Sequence, residues 1–165
     1  MTPEDLFGRL RTRFADVVLA RGEVSVSVGP KELLAALEWL RDEDLGFDFL
    51  SDLTCSDWPE LEPRYWVAYH LLSLAQGHRL RVKVGLAGDD EPHVPSVTAR
   101  YPTADWFERE AFDFFGVVFD GHPDLRRIEM PEEWTGHPLR KTEPLAGVRT
   151  RFVGASIPPP DRRGT

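Results

Sequence analysis

The chain has one cysteine, Cys55, among 165 residues. That excludes a disulfide within the chain and any multi-cysteine metal or iron–sulfur site built by the chain alone. No apolar run approaches the roughly 18 residues that a membrane-spanning helix requires. The opening MTPEDLFGRLRTRF lacks an apolar stretch before a cleavage site, so it does not read as a secretory signal, and a reducing, cytoplasmic setting is expected. Excess positive charge is also missing. Residues 1–119 carry 21 acidic and 12 basic side chains, and residues 120–165 carry 7 and 8, for a net charge of −8. An acidic body argues against nucleic acid as the main partner. There is no glycine-rich phosphate loop, no dinucleotide fingerprint and no Gly-x-Ser-x-Gly elbow.

What is present is a hydrophobic fraction of 41% in a chain long enough for one domain with a core. Thr2-Pro3-Glu4-Asp5 reads as a helix start, with a capping hydroxyl, a proline suited to the first turn and two acids at the positive end of the dipole. Leu6, Leu10, Phe14, Val17 and Val18 continue at helical spacing up to Gly22, so one long first helix is expected. Val24, Val26 and Val28 alternate with polar residues, as in a half-buried strand. Gly29-Pro30 opens a second helix with Leu33, Leu34, Leu37 and Leu40, ending near Gly46. A strand through Phe47, Phe49 and Leu53 follows, then a hairpin of 64–74 and 79–86 turning at Gln76-Gly77, then a third helix near 104–115. The expected fold is α+β: helices packed on a mixed, largely antiparallel sheet, followed by an extended arm rich in proline and glycine.

The arm is expected because half of the 14 prolines fall after residue 119, and proline neither donates in a ladder nor sits inside a helix. The same segment keeps Leu125, Ile128, Met130, Trp134, Leu139 and Leu145, large apolar groups that disordered segments seldom carry. The expected organisation is a body over 1–119, an interaction arm over 120–150 and a loose tail over 151–165.

The third helix holds the densest chemistry. At about 100° per residue, Phe107, Ala111, Phe112, Phe114 and Phe115 share a face, and Glu108 falls inside it. Asp105, Arg109 and Asp113 lie on the other side, with Arg109 and Asp113 four apart and able to pair. A carboxylate aimed at apolar surroundings needs a cation or donors, and the arginines of the arm are the candidates. An acid/base pair of Glu108 and Glu110 with His122 nearby would suit a hydrolase, but residues two apart on a helix point about 200° apart and cannot share a substrate. Gly121-His122-Pro123 recurs as Gly136-His137-Pro138, yet no third ligand stands at metal-binding spacing. Buried ion pairs that fix the helix and lock the arm onto it account for these residues more simply. A helix face completed by a partner chain, or a free-standing adaptor, accounts for them too.

Together the runs 108-ERE-110, Phe112-Asp113-x-Phe115-Gly116-Val117, 121-GHPDLRRI-128 and 130-MPEEWTGHPLRK-141 closely resemble the C-subunit family of respiratory complex I, the proton-pumping NADH:quinone oxidoreductase. Asp52–Pro59, Arg64–Ser73 and Val94–Val97 resemble that family as well. Glu129 and Thr142-Glu143 depart from its pattern. The resemblance implies a cofactor-free part of the peripheral arm, on the cytoplasmic side, reaching the membrane only through partners. It implies packing beside the D-subunit, a relative of hydrogenase large subunits, and near the iron–sulfur B- and I-subunits. FMN, iron–sulfur clusters and quinone would be held by other chains. Glu108, Arg109, Glu110 and Asp113 would organise the last helix. His122, Asp124, Arg126, Arg127, Trp134, His137, Arg140 and Lys141 would carry ion pairs and anchors onto neighbours. The equivalent subunit of a membrane-bound nickel–iron hydrogenase, or of a ferredoxin-fed photosynthetic-type complex, fits the same motifs.

Overall fold

The computed structural model describes residues 1–42, 44–88 and 90–143. Thr2 caps helix α1 (Pro3–Leu10): its hydroxyl accepts from the Asp5 N–H while the Asp5 carboxylate accepts from the Thr2 N–H, a reciprocal box. The helix stops after eight residues. The longer helix expected from the spacing of Phe14, Val17 and Val18 does not form. Val17 and Val18 belong instead to a strand, β1 (Asp16–Ala20), paired antiparallel with β2 (Glu23–Val28). The reason lies in the turn between them. Arg21 and Gly22 both hold positive φ, 54° and 78°, the conformation of a two-residue hairpin loop whose twist suits antiparallel strands. Two β-branched valines beside that turn satisfy a ladder better than another helical turn.

A short 3-10 turn, Pro30–Glu32, leads into α2 (Leu33–Arg41). Strands β3 (Phe49–Asp57), β4 (Tyr65–Leu72) and β5 (Arg79–Leu86) follow. The five strands form one mixed sheet in the order β1-β2-β5-β4-β3, antiparallel everywhere except at the β2–β5 contact. A second sheet pairs β6 (His93–Pro95) in parallel with β7 (Val118–Asp120) on either side of α3 (Ala104–Phe115). This small sheet is not legible from periodicity, because three-residue strands have none.

Burial alternates strictly along β2, β4 and β5. One face carries Val24, Val26, Val28, Tyr65, Val67, Tyr69, Leu71, Leu80, Val82, Val84 and Leu86 into the core. The same core receives Leu6 and Leu10 from α1, Leu33, Leu37 and Leu40 from α2, and Ala104 and Ala111 from α3. Fully burying each Leu or Val side chain contributes roughly 1.5–3 kcal/mol. Residues 121–143 form no helix or strand. The last part of the expected arm, 144–150, and the expected tail, 151–165, lie outside the described residues.

Candidate functional site

Helix α3 is held from two directions, and two buried carboxylates mark them. On the side toward β3 the helix presents Ala104, Glu108 and Ala111, all buried. Small side chains at that spacing let the backbone approach the sheet closely, and this draws Glu108 inward with them. The phenylalanines expected to make the buried face, Phe107, Phe112, Phe114 and Phe115, are only half-buried.

Glu108 does not meet an arginine. Its carboxylate accepts from the Val97 N–H (2.7 Å) and from the Ser96 hydroxyl (2.7 Å), just beyond β6, and its closest cationic candidate, His122 Nε2, stands 4.0 Å away. The expected arginines are engaged elsewhere: Arg126 with Asp124, Arg127 with Asp113 and Arg140 with the end of the helix. Burial raises the Glu108 carboxyl to about 7; the Val97 and Ser96 donors offset part of that and Asp105 adds to it. A raised carboxyl penalises folding only where the group ionises. The penalty is absent below the unfolded value near 4.5, grows through the interval and is complete above about 7. Glu108→Gln copies the neutral acid: its amide oxygen accepts from Val97 and its NH2 donates to Ser96. At pH 8 this variant is expected to be about 2–3 kcal/mol more stable than the wild type, with the two converging near pH 4.5 in urea titrations.

Asp113 is the second buried carboxylate. Oδ1 takes Arg127 Nη1 at 2.6 Å, and Oδ2 accepts three successive arm N–H groups, Ile128 (3.0 Å), Glu129 (2.8 Å) and Met130 (2.9 Å). Burial alone would raise this carboxyl; the Met130 and Glu129 amides, Arg127 and the Ile128 amide outweigh it and hold it below the usual range. The expected Arg109–Asp113 pair is therefore corrected. Asp113 turns to the arm, which offers four donors against the one guanidinium of Arg109. Arg109 lies over the exposed Trp106 ring and donates to the Arg126 carbonyl at 3.2 Å.

The end of α3 explains the second Gly-His-Pro. The last four carbonyls of a helix lack internal partners, and all four are met here. Gly116, left-handed at φ 72°, donates its N–H to Phe112. His137 Nδ1 donates to the Asp113 carbonyl (2.9 Å), Leu139 N–H to Phe114 (3.1 Å) and Arg140 Nε to Phe115 (2.7 Å). Arg127 also reaches the Asp113 carbonyl, so two arginines sit at the negative end of the helix dipole. Burial holds His137 below the usual imidazole range, and Arg140 and Arg127 push it the same way. Arg140 also donates to the Asp90 carbonyl, and the Lys141 N–H reaches Asp57 Oδ2 at 2.8 Å.

Asp57 was not among the expected site residues, nor was Arg64. Asp57 is buried at the end of β3 and gripped by Arg64 through both oxygens, 2.6 and 2.9 Å. Burial would raise its carboxyl, but Arg64 and the Lys141 amide lower it. Asp57 stands in step with the buried Leu53 and Cys55, and a charged residue on that face of the strand was the available signal.

The remaining expected residues are placed as follows. His122 accepts the Asp124 N–H on Nδ1, so Nε2 carries the ring proton and faces the Asp105 carbonyl at 3.2 Å. Arg126 is exposed and pairs with Asp124 at 2.7 Å. Glu110 is exposed and turned away from Glu108, so the two carboxylates form no acid/base pair. Trp134 is half-buried in a turn, its N–H donating to the Pro131 carbonyl. The Lys141 side chain is exposed while its backbone holds Asp57.

Between residues 55–61, at the end of β3 and beyond it, and the arm lies an open apolar groove of about 760 Å³, bounded by Cys55, Trp58, Leu61, Phe115 and Leu139. Trp58, Leu61 and Leu139 are 54%, 53% and 48% exposed. Among the described residues no three His, Cys, Asp or Glu side chains come together as a metal site, and no helix is long and apolar enough to cross a membrane.

Residues 26–149 match the family described as the respiratory-chain NADH dehydrogenase 30 kDa subunit. The chain belongs to this family. It is 48% identical over 149 residues to the NADH-quinone oxidoreductase C-subunit of Saccharopolyspora erythraea, 46% to that of Mycolicibacterium smegmatis and 44% to that of a Nocardioides species. Each comparison takes in 89% of this chain, but 59%, 62% and 59% of the relatives. The chain thus spans about three-fifths of the length of the curated relatives it matches. Its fold is similar to a chain in the structure of the membrane-bound sulfane sulfur reductase, an archaeal respiratory membrane complex, with a TM-score of 0.62, 25% identity and coverage of 80% of this chain and 75% of that one. The 30 kDa subunit match takes in Glu108, Asp113, Asp57 and both Gly-His-Pro turns.

Proposed function

We propose that this chain is a structural subunit of the peripheral arm of NADH:quinone oxidoreductase, without a cofactor of its own, bracing the chains that pass electrons to quinone. The observation that carries this reading is how the family's charged motif is used. Asp113, Arg127, His137 and Arg140 are committed to fixing residues 121–141 on α3, and no pair of them converges on open space. Such a lock makes a rigid surface for neighbours rather than a site for turnover. The apolar groove at Trp58, Leu61 and Leu139 is a natural part of that surface.

On this reading the body, 1–119, and the arm, 120–150, act as one unit. The partners are the hydrogenase-like D-subunit and the iron–sulfur B- and I-subunits. FMN, iron–sulfur clusters and quinone belong to other chains, and proton translocation to the whole assembly. The subunit sits on the cytoplasmic face and reaches the membrane through its partners. A second reading is the equivalent subunit of a related membrane-bound nickel–iron hydrogenase or ferredoxin-fed complex, and the likeness to a chain of the archaeal sulfane sulfur reductase favours keeping it.

The test is purification of the tagged chain from its native membranes in gentle detergent, with identification of the accompanying chains and an NADH:quinone assay. Flavin and iron–sulfur subunits with NADH-dependent quinone reduction are expected. A nickel-bearing large subunit would move the assignment to the sister machine, and a lone chain would remove both. In the same system Arg127→Ala is expected to lower the amount of assembled complex several-fold and leave turnover per complex within about twofold, as for a part that acts through stability. Normal assembly with abolished turnover would contradict the structural role.

A further inference from the structure

The five-stranded sheet ends at β1, and that edge is unfinished in two independent ways. The first is its backbone. The two-residue turn at Arg21-Gly22 makes Ala20 and Glu23 a hydrogen-bonded pair, so bonding alternates along the ladder through Val18–Ser25 and Asp16–Ser27. The N–H and C=O groups of Val17 and Leu19 therefore point away from β2, and among the described residues no other backbone group meets them. Natural proteins commonly guard such an edge with lysine, proline or a bulge. Asp16-Val-Val-Leu-Ala20 has no lysine or proline, and its register is unbroken.

The second is the core beneath it. Val17 and Leu19 face inward with Val26 and Val24, yet both remain half-buried, as do Phe7, Phe14 and Trp39 beside them. The core is closed over β5 and β4 but open along this margin. Charge then narrows what could close it. Arg11, whose guanidinium lies over the Phe7 ring, and Arg13 and Arg21 are exposed, and among the described residues none forms an ion pair with a carboxylate, on a chain whose net charge is −8.

We propose that β1 is a docking edge that receives an extended segment from another chain, added as a sixth strand, with alternate apolar side chains over Phe7, Phe14, Val17 and Leu19 and acidic side chains toward the arginine rim. Backbone pairing supplies affinity in this mode and the alternate side chains supply selectivity. The proposal rests on the reading above only in taking the other chain from the same assembly.

The experiment compares amide hydrogen exchange at residues 16–20 in the isolated full-length chain and in the complex purified through it. The Val17 and Leu19 amides are expected to exchange at least about 100-fold more slowly in the complex. A photo-crosslinking residue at Val18 is expected to join an extended, acidic segment of a different chain. Val17→Pro removes an outward N–H and no bond to β2, so the isolated variant should stay folded, with only the small drop in melting temperature of an altered half-buried valine, and be retained in the complex at least about tenfold less. A complex that assembles with residues 16–20 exchanging as fast as in the isolated chain overturns the proposal and leaves the subunit assignment standing. If no complex is recovered, both fall. Slow exchange in an isolated chain that sediments as a dimer, with Val18 crosslinking to itself, gives the edge to a second copy and also overturns it.

Discussion

Asp113→Ala is expected to produce the largest single loss of stability, about 3–5 kcal/mol by chemical denaturation, the range for breaking one side of a buried charge pair. The substitution removes the acceptor of four donors at once. It leaves three consecutive arm amides and the mostly buried Arg127 guanidinium without their anion. Hydrogen exchange should rise first at residues 128–130, and the distal turn should loosen next, because Arg127 also donates to the Gly136 carbonyl. Asp113→Asn should recover part of the loss, since its amide oxygen still accepts N–H groups while losing the charge. The same carboxylate predicts acid sensitivity. Asp113 and Asp57 are both held below the ordinary carboxylate value of 3.8 in the folded chain. Their contribution is complete above that value and is lost as pH falls through the folded values. Acid release of the arm should therefore begin below about pH 4 in the wild type, and Asp113→Ala should lack its share of this transition. An arm that stays protected in Asp113→Ala would show that the lock lies elsewhere.

The second large effect is expected at Gly116. Its φ of 72° lies in the left-handed region, where a side chain costs roughly 1–2 kcal/mol. A Cβ there would stand 2.6 Å from His137 Cδ2 and would also strike the Arg140 guanidinium. Overpacking typically adds roughly 1–3 kcal/mol, so Gly116→Ala should lose about 2–4 kcal/mol in all. The loss has a spatial signature. His137 and Arg140 donate to the Asp113 and Phe115 carbonyls in the last turn of α3, so displacing them should free the Phe115 carbonyl and leave Asp113 with Arg127 alone. Thermal melts of Gly116→Ala beside His137→Ala and the double variant would check this. A fully additive double variant would mean that the glycine and the histidine do not act through one contact.

Asp113 and Glu108 show where sequence reading stops. Asp113 lies on the polar side of α3 as its spacing implies, four residues from Arg109, and a local pair is the natural inference. The structure chose Arg127 and three amides, because a closely folded arm can deliver several donors where one neighbour on the helix delivers one. Glu108 points inward as expected, yet its partners, Ser96 and the Val97 amide, stand in a segment with no charge to advertise them. Asp57 and Arg64 escape notice as a pair for a related reason. Their meaning depends on Lys141, 84 residues away in sequence from Asp57.

The class of the fold follows from local patterns: capping and proline at α1, alternation in β2, β4 and β5, and amphipathic spacing in α2 and α3. Each is an interaction within a few residues, so the chain specifies it without reference to the rest. The motifs of residues 108–141 are likewise enough to point to the family. Tertiary structure alone decided two matters. It placed β2 parallel to β5 and turned the second Gly-His-Pro into the cap of α3. Both depend on groups distant in sequence meeting unsatisfied backbone donors and acceptors, and that pairing exists only once the sheet and the helix have packed.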